Sequence, residues 1–365
     1  MVIILPRNLI LVINPGSTST KVAIFKDEKN ILQNNLSHSN EEISKFDKIT
    51  DQFQYRTDII LDWLKNEKID IKDLMAVVGR GGLLKPMPSG TYKVTDAMIE
   101  DLKIGAQGEH ASNLGGIIAR SIADSQGIPS YIVDPVAVDE FDDIARISGL
   151  PEVPRKSLVH ALNIKAIARR AACDMGKDLE EVNFIVCHLG GGISISPMNK
   201  GKIVDVNNAN ESGPFSADRA GGVPVGDIVK MCYSGKFTLA DMKKKINRSA
   251  GLIGYLGTND ARDVEKMIAA GDKKAEFIYD ALAYQIAKEV GQMATVLYGK
   301  VDAIILTAGM AYSKILCQNI TKRVNFISEV KIYPGEDEML ALSEGTYRIL
   351  KGEEQVKIYE NEVKI

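Results

Sequence analysis

Several features that would assign this chain to a familiar class are missing. Lys and Arg number 45 against 48 Asp and Glu, a net charge of −3, so no basic excess exists to track a nucleic-acid backbone. The four cysteines, Cys173, Cys187, Cys232 and Cys317, are scattered and form no C-x-x-C pair, which fits a reducing compartment better than a disulfide framework. No run approaches the ~18 consecutive apolar residues of a membrane span. The apolar opening, Met1 to Ile13, lacks a basic leader and a small-residue cleavage site, and Pro6-Arg7-Asn8 splits it. The four histidines, His38, His110, His160 and His188, show no metal-ligand spacing. Neither G-x-x-x-x-G-K-[ST], nor G-x-G-x-x-G leading from strand to helix, nor G-x-S-x-G occurs, which disfavours P-loop kinases, Rossmann dehydrogenases and elbow-type serine hydrolases. The expectation is a soluble cytoplasmic protein with no nucleic-acid or membrane partner.

What is there is ordinary globular material. The chain has 365 residues, 45% hydrophobic and 25% charged, enough for about two domains with buried cores. Leu9 to Phe25 reads as an apolar strand, a Pro-Gly-Ser turn and an alternating strand. A polar stretch, Lys26 to Asp58, follows, with a first helix near Ile59–Lys68. Strand Met75–Val78 runs into Gly79-Arg80-Gly81-Gly82. Helix Ala111–Gln126 is stopped by Gly127-Ile128-Pro129, and strand Ser130–Val133 ends at Asp134-Pro135. A hinge-like stretch at Gly149 to Pro154 precedes helix Leu158–Met175. Asn183 to Met198 then repeats the opening pattern of strand, Gly-containing turn and alternating strand, half a chain later. Helix Lys273–Tyr298, strand Val301–Leu306 and a helix near Asp337–Leu350 complete the chain. Strands alternating with long helices predict an α/β protein of two related halves, residues 1–150 and 151–335. The hairpins make each sheet mixed rather than purely parallel.

The two hairpin turns carry Gly, Ser and Thr, whose backbone N–H groups and hydroxyls can surround a phosphate. Plain hairpin turns favour the same residues. Asn14 stands at a strand end with Lys21 seven residues on, and His188 precedes Gly190-Gly191-Gly192. Arg80 and Arg219 lie among glycines, where a guanidinium can fork onto a carboxylate or phosphate; each also reads as a surface loop arginine. His110 and His160 stand at helix starts, and Asp134 follows a strand, equally a place for a catalytic carboxylate or a turn.

Taken together, Val12-Ile-Asn-Pro-Gly-Ser-Thr-Ser-Thr-Lys21, Val186-Cys-His-Leu-Gly-Gly-Gly192 and Glu211-Ser-Gly-Pro-Phe-Ser-Ala-Asp-Arg-Ala-Gly-Gly-Val-Pro-Val-Gly-Asp-Ile228 resemble the acetate kinase family, most closely its butyrate-using members. The resemblance implies the two-domain actin-like ATPase fold of the sugar kinase, heat-shock ATPase and actin superfamily, with nucleotide in the interdomain cleft. It also implies reversible, direct in-line phosphoryl transfer between ATP and a short fatty acid, giving ADP and an acyl phosphate, with Mg²⁺. By that resemblance Asn14 helps hold Mg²⁺ and Lys21 lies near the ATP phosphates. Arg80 binds the substrate carboxylate, and Asp134 is the active-site aspartate. His160 and Arg219 stabilise the transferring phosphoryl, while His188, Gly190, Gly191 and Gly192 form a second phosphate turn. Asp260 and Arg262 sit in a nucleotide-contacting stretch, and Ala308, Gly309 and Met310 open the adenosine loop. That loop departs from the family's usual Gly-Gly-Ile-Gly-Glu-Asn. The family's late acidic Mg²⁺ residue falls within Glu336-Asp337-Glu338, at Asp337 without a gap and at Glu338 with one. The resemblance further implies a C-terminal helix at about 336–365 packing back on the first half, and a homodimer or larger homo-oligomer.

The substrate pocket is expected at Gly81, Gly82, His110 and Val159. Acetate kinases typically carry two valines and a phenylalanine where this chain has Gly81, Gly82 and Val159. Smaller side chains leave room for a longer acyl tail, and at ~0.8 kcal/mol per buried CH₂ two carbons favour butyrate over acetate roughly tenfold. The rival readings are an acetate or propionate kinase and a non-enzymatic actin-like ATP-binding module.

Overall fold

A computed structural model of the chain describes residues 7–363; the apolar run before Arg7 and the last two residues of the expected 336–365 helix lie outside them. The chain divides into two compact units, one formed by the residues up to Asp139 together with Asp337 onward, the other by Glu140–Glu336. Glu140 belongs to the second unit because its carboxylate accepts from Lys165 Nζ (2.6 Å) and from the Ile203 backbone N–H (2.9 Å). The loop around Gly149 to Pro154 therefore lies inside the second unit.

In the first unit the strands are β1 (Leu9–Pro15), β2 (Ser19–Lys26), β3 (Lys29–Ser37), β4 (Leu74–Arg80), β5 (Thr91–Lys93) and β6 (Ser130–Val133). With the short strand Lys357–Ile358 they make one sheet, ordered Lys357–Ile358, β5, β6, β4, β1, β2, β3. The β1–β2 and β2–β3 pairs are antiparallel, and β1–β4 and β4–β6 are parallel. All seven residues of β1 are buried, as a central strand covered on both faces requires.

The second unit holds β7 (Asn183–Leu189), β8 (Ile193–Asn199), β9 (Lys202–Ile203), β10 (Ala303–Ala308) and β11 (Val330–Pro334), in the order β11-β10-β7-β8-β9. Here β7–β8 and β8–β9 are antiparallel, and β7–β10 and β10–β11 are parallel. The run β3-β2-β1-β4-β6 and the run β9-β8-β7-β10-β11 thus share one order and one set of directions. The weak sequence echo between the two hairpins is a topological repeat. Helix Lys273–Val296 covers the second sheet, burying Ile278, Leu282, Ile286, Val290 and Met293 at helical spacing.

Three expectations need correction. The polar stretch 26–58, to which the sequence assigns no element, carries regular structure. It contains β3, an edge strand with no fully buried residue, whose polar composition hid it. It also contains the start of a helix at Phe53 rather than Ile59. The helix expected from Leu158 begins at Ala161, with His160 as its N-cap residue. The C-terminal segment is not one helix to the end: Glu338–Leu350 stops before Gly352 (φ +75°), and Lys357–Ile358 and the turn of helix Tyr359–Glu362 follow.

Candidate active site

Each unit builds its own cluster of the residues singled out above. In the first unit, β1 and β4 lie side by side and parallel, so Asn14 and Arg80 both emerge at carboxyl ends. Helix Glu338–Leu350 starts beside them. Asn14 Nδ2 donates to Glu338 Oε2 (2.6 Å), and Arg80 forms an ion pair with the other Glu338 oxygen. The three consecutive acids separate completely. Glu336 belongs to the second unit, 3.7 Å from His188 Nε2. Asp337 is the helix cap, accepting from the Leu340 N–H (2.9 Å). Only Glu338 faces Asn14. Asn14 and Glu338 are hard oxygen donors. Among the described residues no group of three or more His, Cys, Asp or Glu could hold a metal ion. A Mg²⁺ held mainly by substrate phosphates and water needs no more than one or two protein ligands, so the donor set fits Mg²⁺.

Asp134, at the end of β6, is 2% exposed and adopts φ +37°. Its Oδ1 accepts from Ser89 Oγ (2.7 Å) and from the Gly90 N–H (2.8 Å). His110 Nδ1 accepts from the Ser112 N–H (3.2 Å). Burial, and then the Arg80 charge, hold His110 below the usual imidazole range, which favours the neutral ring. Lys21 is exposed on β2, directly across the ladder from Asn14.

The glycines after Arg80 have a different reason from the one expected. A Cβ at Gly82 would lie 2.3 Å from Asn113 Oδ1 and 2.6 Å from its Cα; one at Gly81 would lie 2.4 Å from Pro135 Cβ. The loop packs backbone-to-backbone on the start of helix Asn113–Gln126, where Asn113 Oδ1 accepts from the Leu83 N–H (2.9 Å). Likewise a Cβ at Gly79 would sit 2.1 Å from Gly115 O. The side-chain directions at Gly81 and Gly82 run into protein, so neither glycine opens room for an acyl tail.

In the second unit the turn Gly190-Gly191-Gly192 joins β7 to β8. His188, at the end of β7, is buried and its Nδ1 donates to Asn163 Oδ1 (2.9 Å). His160 stacks on His188 with ring centroids 3.9 Å apart and 7° between planes. Its Nδ1 lies 2.9 Å from Ser194 Oγ, and Ser194 faces His188 across the ladder. Val159, next to His160, is buried. Arg219 lies over the glycine turn, where a Cβ at Gly192 would be 2.5 Å from its Nη1. Arg219 Nη1 donates to Asn210 Oδ1 (2.7 Å), and its backbone N–H donates to Ser216 Oγ (3.2 Å). His160, His188, the three glycines and Arg219 therefore form one cluster suited to an anionic phosphoryl group.

The expected nucleotide residues are less uniform. Asp260 caps helix Ala261–Ala269 and pairs with Arg262. Hydrogen bonds from Arg262 pull the Asp260 carboxyl down to about 2. Met310 packs into the apolar core beside Leu316 and Ala311, so its side chain is unavailable to a base. Ala308 takes φ +71°, ψ −169°, a glycine-like conformation. Beyond the loop, Ser313 bridges Tyr279 and Glu265: the Tyr279 hydroxyl donates to Ser313 Oγ (2.9 Å), which in turn donates to Glu265. Burial pushes the Tyr279 hydroxyl up to about 12.

Sequence reasoning missed Ser89, Asn163, Ser194 and Asn210. Ser194 had a signal: a serine alternating with isoleucines in an apolar strand needs a buried partner. Asn163 lies three residues after His160 on a helix, close enough to share its face. Ser89 and Asn210 carried no such signal.

Residues 153–339 match the model of the Acetokinase family. Over 351 residues the chain is 56% identical to a probable butyrate kinase of Clostridium botulinum (strain Alaska E43), covering 96% of this chain and 99% of that protein. It is 54% identical to butyrate kinase 2 of Clostridium acetobutylicum over the same shares. Among solved structures, an acetate kinase from Porphyromonas gingivalis superposes with a TM-score of 0.80 at 20% identity, over 94% of this chain and 100% of that one. A propionate kinase from Francisella tularensis superposes with a TM-score of 0.73 at 17% identity, over 93% and 98%. At these identities the structural likeness is one of fold.

Proposed function

The chain belongs to the acetokinase family and has the two-domain actin-like ATPase fold, and on that premise we propose that it is a butyrate kinase. The observation that carries the reading is 54–56% identity, along nearly the whole chain, to relatives named for that activity. The reaction joins a carboxylate oxygen of butyrate, or a similar short or branched acid, to the γ-phosphorus of ATP. The bond to the β,γ-bridging oxygen breaks, and ADP leaves.

The carboxylate is already ionised near neutral pH, since such acids titrate at about the Glu value of 4.3, so no general base is needed. The barrier is the approach of two anions. Arg80, at the end of β4, takes the substrate carboxylate, with neutral His110 adding no charge of its own. Asp134 is anchored by Ser89 and Gly90 and orients Arg80's surroundings rather than moving a proton. Arg219, fixed by Asn210, and His160, fixed by Ser194, take the charge of the transferring phosphoryl, with Gly190 to Gly192 beneath. Lys21 serves the ATP phosphates. Asn14 and Glu338 would hold Mg²⁺, which neutralises phosphate charge when bound. Asp337, spent as a helix cap, does not join them.

For the acyl tail, Val159 remains as the residue that enlarges the pocket. A homodimer or larger assembly is part of the proposal, supported by apolar side chains left exposed at Val225, Val229, Tyr233 and Leu239. So is a cytoplasmic setting, supported by four free cysteines. No helix of the described residues is long and apolar enough to cross a membrane.

The test is acyl phosphate formation, trapped with hydroxylamine, from MgATP with acetate, propionate, butyrate and isobutyrate in parallel. A higher kcat/KM for the four-carbon acids is expected. Preference for acetate would refute the butyrate assignment, and ATP turnover without any acyl phosphate would favour the actin-like module.

A further inference from the structure

The turn between β1 and β2 rests on a buried arginine that none of the roles above uses. Arg56, on helix Phe53–Asn66, is 1% exposed. Its Nη1 donates to Gly16 O (2.8 Å), Ser19 O (3.2 Å) and Thr20 Oγ1 (3.1 Å), and its Nη2 donates to Ser17 O (3.1 Å). The remaining donors go to Gln52 Oε1, from Nε at 3.0 Å and from Nη2 at 2.7 Å. Thr18 O accepts from the His38 N–H (2.8 Å). Every carbonyl from Gly16 to Ser19 is therefore bonded to the protein interior. The N–H groups of Ser17 and Thr18 donate to no acceptor among the described residues. A turn with its carbonyls turned in and its amides left over is an anion nest.

The charge of Arg56 is equally unusual. Among the described residues no carboxylate pairs with it; it is balanced by carbonyl, amide and hydroxyl dipoles alone. A buried cation without a counter-charge is costly, and burial pulls this guanidinium down to about 10. An anion at the outer face of the turn lowers that cost.

We propose that Arg56 is a positioning residue for ATP: it holds the Gly16–Ser19 turn with its amides outward and supplies an uncompensated positive charge behind the phosphate bound there. The proposal rests on the phosphoryl-transfer reading above.

Gln52→Glu separates charge from shape, because it keeps the acceptor for Arg56 but sets a carboxylate against the guanidinium. ATP affinity, read by titration calorimetry with no carboxylic acid present, is expected to weaken about five- to tenfold, with the KM for ATP rising in step. The KM for butyrate stays within twofold, and Tm does not fall. Arg56→Lys, which keeps a charge but loses the fork, weakens ATP binding by at least as much. Wild-type ATP affinity in Gln52→Glu overturns the proposal; if that variant does not fold, wild-type affinity in Arg56→Lys overturns it instead. A purely structural role would lower Tm in Arg56→Lys and leave the KM for ATP unmoved. A wild-type protein that makes no acyl phosphate, yet binds ATP more tightly than Gln52→Glu, refutes the substrate assignment and leaves the role of Arg56 standing.

Discussion

Glu338 accepts the Asn14 side-chain amide at 2.6 Å, although 324 residues separate them in the chain. The contact joins the end of the first strand to the start of a helix near the other terminus. It also favours Glu338 over its neighbour as the proposed Mg²⁺ ligand, since Asp337 is committed to its helix cap. Glu338→Gln is expected to lower kcat/KM by about 100-fold and to raise the Mg²⁺ concentration needed for half-maximal rate. Asp337→Asn, which still caps the helix, should change either quantity less than about twofold. Mg²⁺ titrations of both variants check this, and the reverse ranking would give the metal to Asp337.

His38 gives the first unit a pH-dependent stability. It is 4% exposed, its Nδ1 has no hydrogen-bond partner among the described residues, and Thr20 Oγ1 lies 2.8 Å from its Nε2. Burial, then the charge of Arg56, pull its pKa down from 6.5 to about 4. The unfolded chain therefore takes up a proton before the folded one does. The stabilisation is complete above about pH 6.5 and is lost as pH falls through about 4, at most about 3 kcal/mol in all. Denaturant midpoints measured from pH 8 to 4 should fall more steeply for the wild type than for His38→Gln. Parallel curves would remove His38 as the cause.

How far the sequence carried depends on whether a feature was local. The two hairpins, β6 and helix Lys273–Val296 were legible because periodicity and Gly or Pro punctuation act over a few residues. β3 was not, because an exposed edge strand carries no apolar alternation. For the site, motif resemblance named Asn14, Arg80, His160, His188 and Arg219, and the structure brings the first two together and the last three together, each set within its own unit. It could not choose among Glu336, Asp337 and Glu338, whose side chains go to a histidine, a helix cap and an asparagine. Nor could it tell that Gly81 and Gly82 are small because Pro135 and Asn113 press on them. Such reasons are tertiary, and composition around a residue does not encode them.

Acyl-chain preference should therefore respond at Val159 and not at Gly82. Val159→Phe is expected to shift the butyrate-to-acetate ratio of kcat/KM toward acetate by roughly tenfold, the worth of about two buried methylenes. Gly82→Ala forces its methyl against Asn113 and should cost about 1–3 kcal/mol of stability with the ratio unchanged. Parallel kinetics with the two acids and thermal melts separate the two effects. An unchanged ratio in Val159→Phe would end the pocket argument.

Ala308 holds a conformation that glycine takes without penalty, φ +71° and ψ −169°, at the junction where its N–H and C=O both bond to Gly335 at 3.0 Å. Such a position costs a residue with a Cβ about 1–3 kcal/mol. Ala308→Gly relieves that strain, while added unfolded-state entropy returns about 0.5–1 kcal/mol and the lost buried methyl a similar amount. The strain is the larger quantity over most of that range, so the variant should be more stable by up to about 2 kcal/mol and melt a few degrees higher. Ala308→Val, whose branched Cβ tolerates positive φ least, should be the less stable of the pair by more than about 2 kcal/mol. Melting both variants beside the wild type tests the sign. A destabilised Ala308→Gly would mean that the buried methyl outweighs the strain, and that alanine stands in this loop for packing rather than in spite of its backbone.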